Sequence, residues 1–278
     1  MSVNRTQKSA IAAVLVSIVI LSGCKSKNEV SPRIAASNSY IESAVIDILG
    51  NDEKILRLAE PGMCPGHFDI QPAQVDRLRK CKLILKFDFQ KLIEERILDK
   101  NATTPVIVSI KPGSGLCCPK TYLAVCVQTA EALIANGFAS KQDVENRLKE
   151  IALRLQELEK RCDTLVKESG LKGEPVLASV HQKEFCQWLG LNVVGSFTAA
   201  DITGFQEIEN AIDVGKIRNV RFIIANKPEG RRLADALADR LKARVVVFGN
   251  FPEDSQNLLF DNLVLNNLQA LVQFAGKR

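Results

Sequence analysis

Six apolar residues in the middle of the chain, Leu148, Ile151, Leu155, Leu158, Cys162 and Leu165, follow one another in steps of three and four. Most of the residues between them are charged. The spacing predicts one amphipathic helix of about 25 residues, ~40 Å long, with a single apolar stripe. Gly170 and Gly173 end it. Such a stripe is covered either by a second copy, as a coiled coil, or by the rest of its own chain. On both sides of the helix, short apolar runs alternate with amphipathic segments. Strands are expected over 33–37, 54–59, 83–89 and 105–110, and again over 175–180, 192–197, 220–225 and 244–248. Helices are expected over 40–49, 74–80 and 121–136, then over 182–189, 205–212, 230–241 and 255–274. Strand and helix alternating at this spacing imply right-handed crossovers and parallel sheets. The expected fold is therefore α/β: two lobes, 33–140 and 173–278, each a parallel sheet flanked by helices, joined by one long helix within 141–172. Ligands of open parallel sheets sit at the carboxyl ends of the strands, which places a site in the cleft between the lobes.

The first residues form an address. Residues 1–23 carry Arg5 and Lys8, no acidic residue, and an apolar run from Ala10 to Leu21. That run has the length of a signal peptide's hydrophobic region and is short for a membrane span. It ends in Leu21-Ser22-Gly23-Cys24, which resembles a bacterial lipobox, with Cys24 as the acylated first residue of the mature chain. The alternative is an uncleaved anchor followed by a chance cysteine. A polar tether, 24–32, follows. Removing 1–23 leaves 35 basic against 32 acidic side chains, a net +3.

The whole chain of 278 residues is 46% hydrophobic and 25% charged, ordinary for a globular protein and unlike a disordered one. With a net charge of +5, two Tyr and one Trp, it lacks a basic, aromatic-studded nucleic-acid surface. No nucleophile elbow, phosphate-binding glycine loop or paired-carboxylate arrangement is present, so an enzyme is not expected. Lys227-Pro228-Glu229-Gly230-Arg231-Arg232 reads as a helix start with a solvated charged face.

Eight cysteines stand beside only two histidines. His67 lies in Pro61-Gly62-Met63-Cys64-Pro65-Gly66-His67-Phe68-Asp69, which its prolines and glycines make a loop. His181 ends the strand Ala178-Ser179-Val180-His181. With Phe185 and Gly190-Leu191 following, and Pro72 after the first loop, these segments resemble the substrate-binding lipoproteins of metal-ion ABC transporters of the zinc and manganese type. The resemblance covers essentially the whole mature chain. In that family the first loop reads Pro-Gly-x-Asp-Pro-His-x-Tyr-Glu-Pro, and its His is a metal ligand. Aligned without gaps between Pro61 and Pro72, that His falls on Gly66, with His67 one place later.

The resemblance implies His67 and His181 as metal ligands, one per lobe. The family's second ligand lies in a His-rich turn before a helix-opening proline. Here that turn is Ser114-Gly115-Leu116-Cys117-Cys118-Pro119, so Cys117 or Cys118 takes the place of the missing histidine, and Cys64 is a further donor. The family's fourth ligand, an acid after the last strand, corresponds to Gly249-Asn250-Phe251-Pro252-Glu253-Asp254. Glu253 and Asp254 carry no specific signal, and Asp69 reads as a loop-ordering carboxylate. Zinc accepts both thiolate and imidazole, and sulfur-rich sites drift toward Cu(I). A disulfide between Cys64 and Cys117 or Cys118 is the rival to ligation in an oxidising compartment. Cys81, Cys126, Cys162 and Cys186 fall on apolar helix faces and read as core.

The expected function is capture of a transition-metal ion, zinc first, by a monomeric lipid-anchored protein on a bacterial membrane (periplasm or cell surface). The ion is its transported ligand; no other cofactor is expected. The partner is the ABC permease of a metal importer. Two alternatives are the same fold binding an organic or chelated ligand, and a thiol-redox or structural lipoprotein.

Overall fold

The computed structural model describes residues 32–51, 53–60, 63, 70–91, 93, 95, 105–199, 204–253 and 260–275. The leader and tether with Cys24, and Cys64, His67, Asp69 and Asp254, lie outside the described residues. No helix among the described residues is long and apolar enough to cross a membrane.

Two four-stranded sheets, parallel throughout, form the frame. The first holds β1 (Ile34–Ala36), β2 (Ile55–Arg57), β3 (Leu83–Phe87) and β4 (Val106–Ile110) in the order β2-β1-β3-β4. Register runs Ala35↔Leu56, Ala35↔Ile84 and Leu85↔Val108. The second holds β5 (Pro175–Ser179), β6 (Asn192–Phe197), β7 (Phe222–Asn226) and β8 (Arg244–Phe248) in the order β6-β5-β7-β8. Strand order thus reverses between β1 and β3 in one sheet and between β5 and β7 in the other. Such a reversal opens a crevice at the carboxyl ends of the two strands, the usual binding position of open α/β sheets. β3 and β7 are buried along their whole length, as central parallel strands covered on both faces must be.

Local chemistry sets the helix ends. In α1 (Ser39–Leu49) the Asn38 side chain accepts from the Tyr40 and Ile41 amides, both at 3.0 Å, and Gly50 at φ +88° closes the helix. Helix α2 (Pro72–Leu78) and α3 (Pro119–Ala135) each open on proline, whose missing N–H costs nothing there. The long helix α4 (Lys141–Glu168) is capped by Ser140, whose Oγ accepts from the Asp143 amide at 3.2 Å. The second lobe adds α5 (Lys183–Trp188), α6 (Phe205–Ile217), α7 (Arg232–Leu241) and α8 (Phe260–Val272).

The buried stripe of α4 is Val144, Ile151, Leu155, Leu158, Cys162 and Val166. It packs against α1, α3 and α8 of its own chain, so the coiled-coil alternative has no face left to use. One core runs from the inner face of the first sheet through α1, α3, α4 and α8 to the inner face of the second. The outer faces carry smaller cores, one including Leu78 of α2 and the other Leu237 of α7. Two polar features tie α8 to the first lobe. Tyr122 of α3 stacks on Phe260 of α8, with centroids 4.1 Å apart, and donates to Asp47 at 2.6 Å. Arg154 of α4 forks onto Asp47 with two bonds of 2.7 Å and reaches Asp261 of α8 at 3.2 Å.

Candidate functional site

The carboxyl ends of β5 and β7 bring three polar side chains together. His181 follows β5 through a turn in which the Gln182 amide bonds the Ser179 carbonyl at 2.8 Å. Glu229 closes a single 3-10 turn, Lys227–Glu229, directly after β7, with Pro228 in the turn and Gly230 at φ +74° ending it. His181 Nε2 lies 3.1 Å from Glu229 Oε1, and Ser179 Oγ donates to Glu229 Oε2 at 2.6 Å. The Asn226 side chain also hydrogen-bonds this carboxylate. The His181 side chain is 60% exposed and Glu229 only 17%, so the imidazole faces solvent over a carboxylate held from below. The hydrogen bond to Glu229 raises the His181 pKa, against a smaller opposing effect of burial. Burial pushes the Glu229 carboxyl up, but hydrogen bonds from His181 and Ser179 outweigh it and hold the group below its usual range.

Beside this pair lies a buried network of neutral amides. Gln182 Nε2 donates to Asn250 Oδ1 at 2.8 Å and to Asn226 Oδ1 at 3.1 Å, and Asn250 Nδ2 donates to Asn226 Oδ1 at 3.0 Å. Asn267 of α8 brackets Gly249, accepting from its amide at 2.8 Å and donating to its carbonyl at 2.9 Å. Among the described residues, Gln182 Oε1 is a buried acceptor without a donor.

Cys117 enters this network from the other lobe. Its loop is shaped by Gly113 and Gly115, both at positive φ, and held by Tyr40, whose hydroxyl donates to the Leu116 carbonyl at 2.7 Å. The thiol is fully buried, donates to the Gly249 carbonyl at 3.1 Å, and receives Asn267 Nδ2 at 3.5 Å. Burial and the neighbouring thiols of Cys118 and Cys186 push its pKa well up. Cys118 turns elsewhere. A Cβ at Gly115 would sit 3.0 Å from both Cys118 Sγ and Glu184 Oε2, so that thiol lies beside the first turn of α5. Burial, with the charges of Glu184 and Glu159, pushes it up to about 12.

Of the five residues expected to gather round a metal ion, Cys64 and His67 lie outside the described residues. His181 stands at a strand end. Cys117 is directed to Gly249 and Cys118 to the neighbourhood of Glu184, and both are free thiols. Among the described residues no three His, Cys, Asp or Glu side chains come close enough to share an ion. Cys81, Cys126, Cys162 and Cys186 are buried free thiols in the apolar cores.

One sequence expectation needs correction. The segment from Lys227 to Arg232 is not simply a solvated face, since Glu229 turns inward to His181 while Lys227 and Arg231 make exposed pairs with Glu253 and Asp235. Glu253 is occupied by Lys227. The strand order carries the signal for Glu229: with β5 and β7 adjacent, the residues after both face one crevice. A cavity of about 270 Å³ lies next to the amide network, lined by Lys227, Gly249, Glu253, Asn262, Asn266 and Asn267. It falls short of the 300–1,000 Å³ that commonly enclose an organic ligand.

No protein-family model matches the chain, and no curated protein matches it by sequence. Solved structures do match its fold. A Mn-bound periplasmic metal binding protein from Candidatus Liberibacter asiaticus superposes with a TM-score of 0.72 at 12% identity, covering 87% of this chain and 98% of that one. The Cd-bound form of that protein gives 0.71 at 12% identity, with 87% and 98% covered. The laminin binding protein (Lmb) of Streptococcus agalactiae, described as a bifunctional protein with adhesin and metal transporting activity, gives 0.70 at 14% identity, with 86% and 98% covered. At these identities the likeness establishes a common two-lobed architecture.

Proposed function

We propose that the chain is an extracytoplasmic solute-binding lipoprotein, anchored through Cys24, that captures a divalent transition-metal ion and delivers it to an ABC permease. The observation that carries this reading is the position of His181. It stands at the carboxyl end of β5, beside the switch point of the second sheet, exposed and backed by a carboxylate at 3.1 Å. An exposed imidazole at such a strand end is an orthodox ligand for zinc and its neighbours. The structural neighbours that hold Mn or Cd show that this architecture accommodates such ions.

His67 and Cys64 are the proposed donors from the first lobe, on the strength of their loop and its resemblance to a metal-ligating one. Cys117 and Cys118, also expected among the donors, are left outside the proposed set. One thiol is engaged at the lobe junction, and the other is kept protonated beside two carboxylates. Zinc is the first choice of ion. Thiols held protonated argue against thiol exchange, which needs an accessible thiolate.

The test is metal analysis of the mature protein and of His67→Ala and His181→Ala, each purified with and without reductant. The reading expects about one equivalent of metal in the parent and its loss in both variants. Metal retained in full by both variants sinks it.

A further inference from the structure

We infer that Glu229 is itself a donor to the captured ion, so that the second lobe supplies an imidazole–carboxylate pair drawn from the two strands at its switch point. The inference rests on the metal-capture reading and adds to it a ligand, a strand and a donor chemistry.

Geometry comes first. Two donors bound to one ion at about 2.0–2.2 Å, at the angles of octahedral or tetrahedral shells, lie roughly 3–3.5 Å apart. His181 Nε2 and Glu229 Oε1 are 3.1 Å apart before any ion is present. An ion seated against both replaces the proton they share and needs little movement of either.

Orientation comes second. Glu229 Oε2 is held at 2.6 Å by Ser179, itself fully buried, and Asn226 adds a further bond to the carboxylate. Asn226 is fixed in turn by Gln182 and Asn250. One oxygen is therefore anchored and the other left toward the imidazole, the arrangement expected of a ligand with a supporting shell.

Charge comes third. Lys227 is paired with Glu253 and Arg231 with Asp235, so the two cations flanking Glu229 in sequence are engaged elsewhere. The carboxylate faces His181, and a divalent ion at Oε1 meets no fixed positive charge from either flank.

The donor chemistry follows. A nitrogen and a carboxylate oxygen suit divalent ions of borderline hardness such as Zn²⁺ and Mn²⁺, whereas Cu⁺ selects sulfur. The amide network and Cys117 then serve to fix this pair and the lobe junction, and a sulfur-dominated shell is not required.

The experiment uses Co²⁺ as a spectroscopic stand-in for zinc in the mature protein, with Zn²⁺ affinity measured by competition against a chromophoric chelator. Glu229→Gln is expected to weaken Zn²⁺ binding at least about tenfold. Glu229→Cys is expected to add a thiolate-to-Co²⁺ charge-transfer band to the parent's spectrum, which arises only if position 229 touches the ion. Circular dichroism of the metal-free variants checks that each is folded. If Glu229→Gln weakens binding but Glu229→Cys adds no band, Glu229 only orients His181 and the inference is overturned. If His181→Ala loses the ion while Glu229→Gln binds within twofold of the parent, the inference fails and metal capture stands. If the parent binds neither Zn²⁺ nor Co²⁺, both fall together.

Discussion

The thiol of Cys117, in the loop after β4, reaches across the lobe junction to the backbone carbonyl of Gly249 at the end of β8, 3.1 Å away. Asn267 binds the same carbonyl and touches the same sulfur. A position where sequence resemblance suggests a metal ligand thus forms part of a buried polar seam between the lobes. Cys117→Ala removes one weak donor and leaves Gly249 bound by Asn267. The expected cost is about 1–2 kcal/mol in urea denaturation, from a small cavity and a lost bond. Zn²⁺ affinity should stay within twofold of the parent. A loss of affinity without a loss of stability would return Cys117 to the ligand set.

Thiol reactivity separates the two cysteines of this turn from an exchange centre. Cys117 is inaccessible, and Cys118, with a thiol near 12, is a thiolate in only about one molecule in ten thousand at pH 8. Counting with a thiol reagent should find Cys81, Cys117, Cys118, Cys126, Cys162 and Cys186 all slow in the native protein and all released by denaturant. Rapid native modification of Cys118 would contradict this placement.

The His181–Glu229 pair makes stability depend on pH with a definite sign. His181 is raised above its ordinary 6.5, so its contribution is complete below 6.5 and fades as pH rises through the folded value. Glu229 is lowered from 4.5, so its contribution is complete above 4.5 and fades as pH falls through the folded value. Both are present together between about 4.5 and 6.5. In metal-free protein, His181→Ala should therefore destabilise more at pH 5.5 than at pH 8.5. An equal effect at both values would mean that the ion pair does not form in solution.

Arg154, on α4, joins three helices by hydrogen-bonding Asp47 of α1 and forming an ion pair with Asp261 of α8. Asp47 also receives the Tyr122 hydroxyl. Arg154→Met leaves two largely buried carboxylates without their cation, and a loss of about 3 kcal/mol is expected in denaturant titration. Arg154→Lys should recover only part of it, because an ammonium lacks the planar fork that meets Asp47 twice.

The frame was legible in the sequence because each element is marked locally. Apolar runs punctuated by glycine and proline gave the eight strands, and the stripe along α4 gave the central helix. Even there the last contact shifts: Val166, rather than Leu165, is fully buried with Cys162. A straight helix of 3.6 residues per turn favours a step of four at that point. His181 stands out in the sequence because it ends a strand. Glu229 was hidden in a charged run and gains its meaning only from the adjacency of β5 and β7. The network of Gln182, Asn226, Asn250 and Asn267 has no local signature, since its members come from four separate segments. The direction of Cys117 was equally unreadable, because the choice between Cys117 and Cys118 depends on how the loop turns at Gly113 and Gly115.

Metal capture at the end of β5 is the central claim, and titration of the metal-free mature protein with Zn²⁺ tests it most directly. One tight site per chain is expected, weakened at least about tenfold in His181→Ala while the metal-free variant keeps the parent's fold. Absence of a tight site in the parent, or the same affinity in His181→Ala, would contradict it.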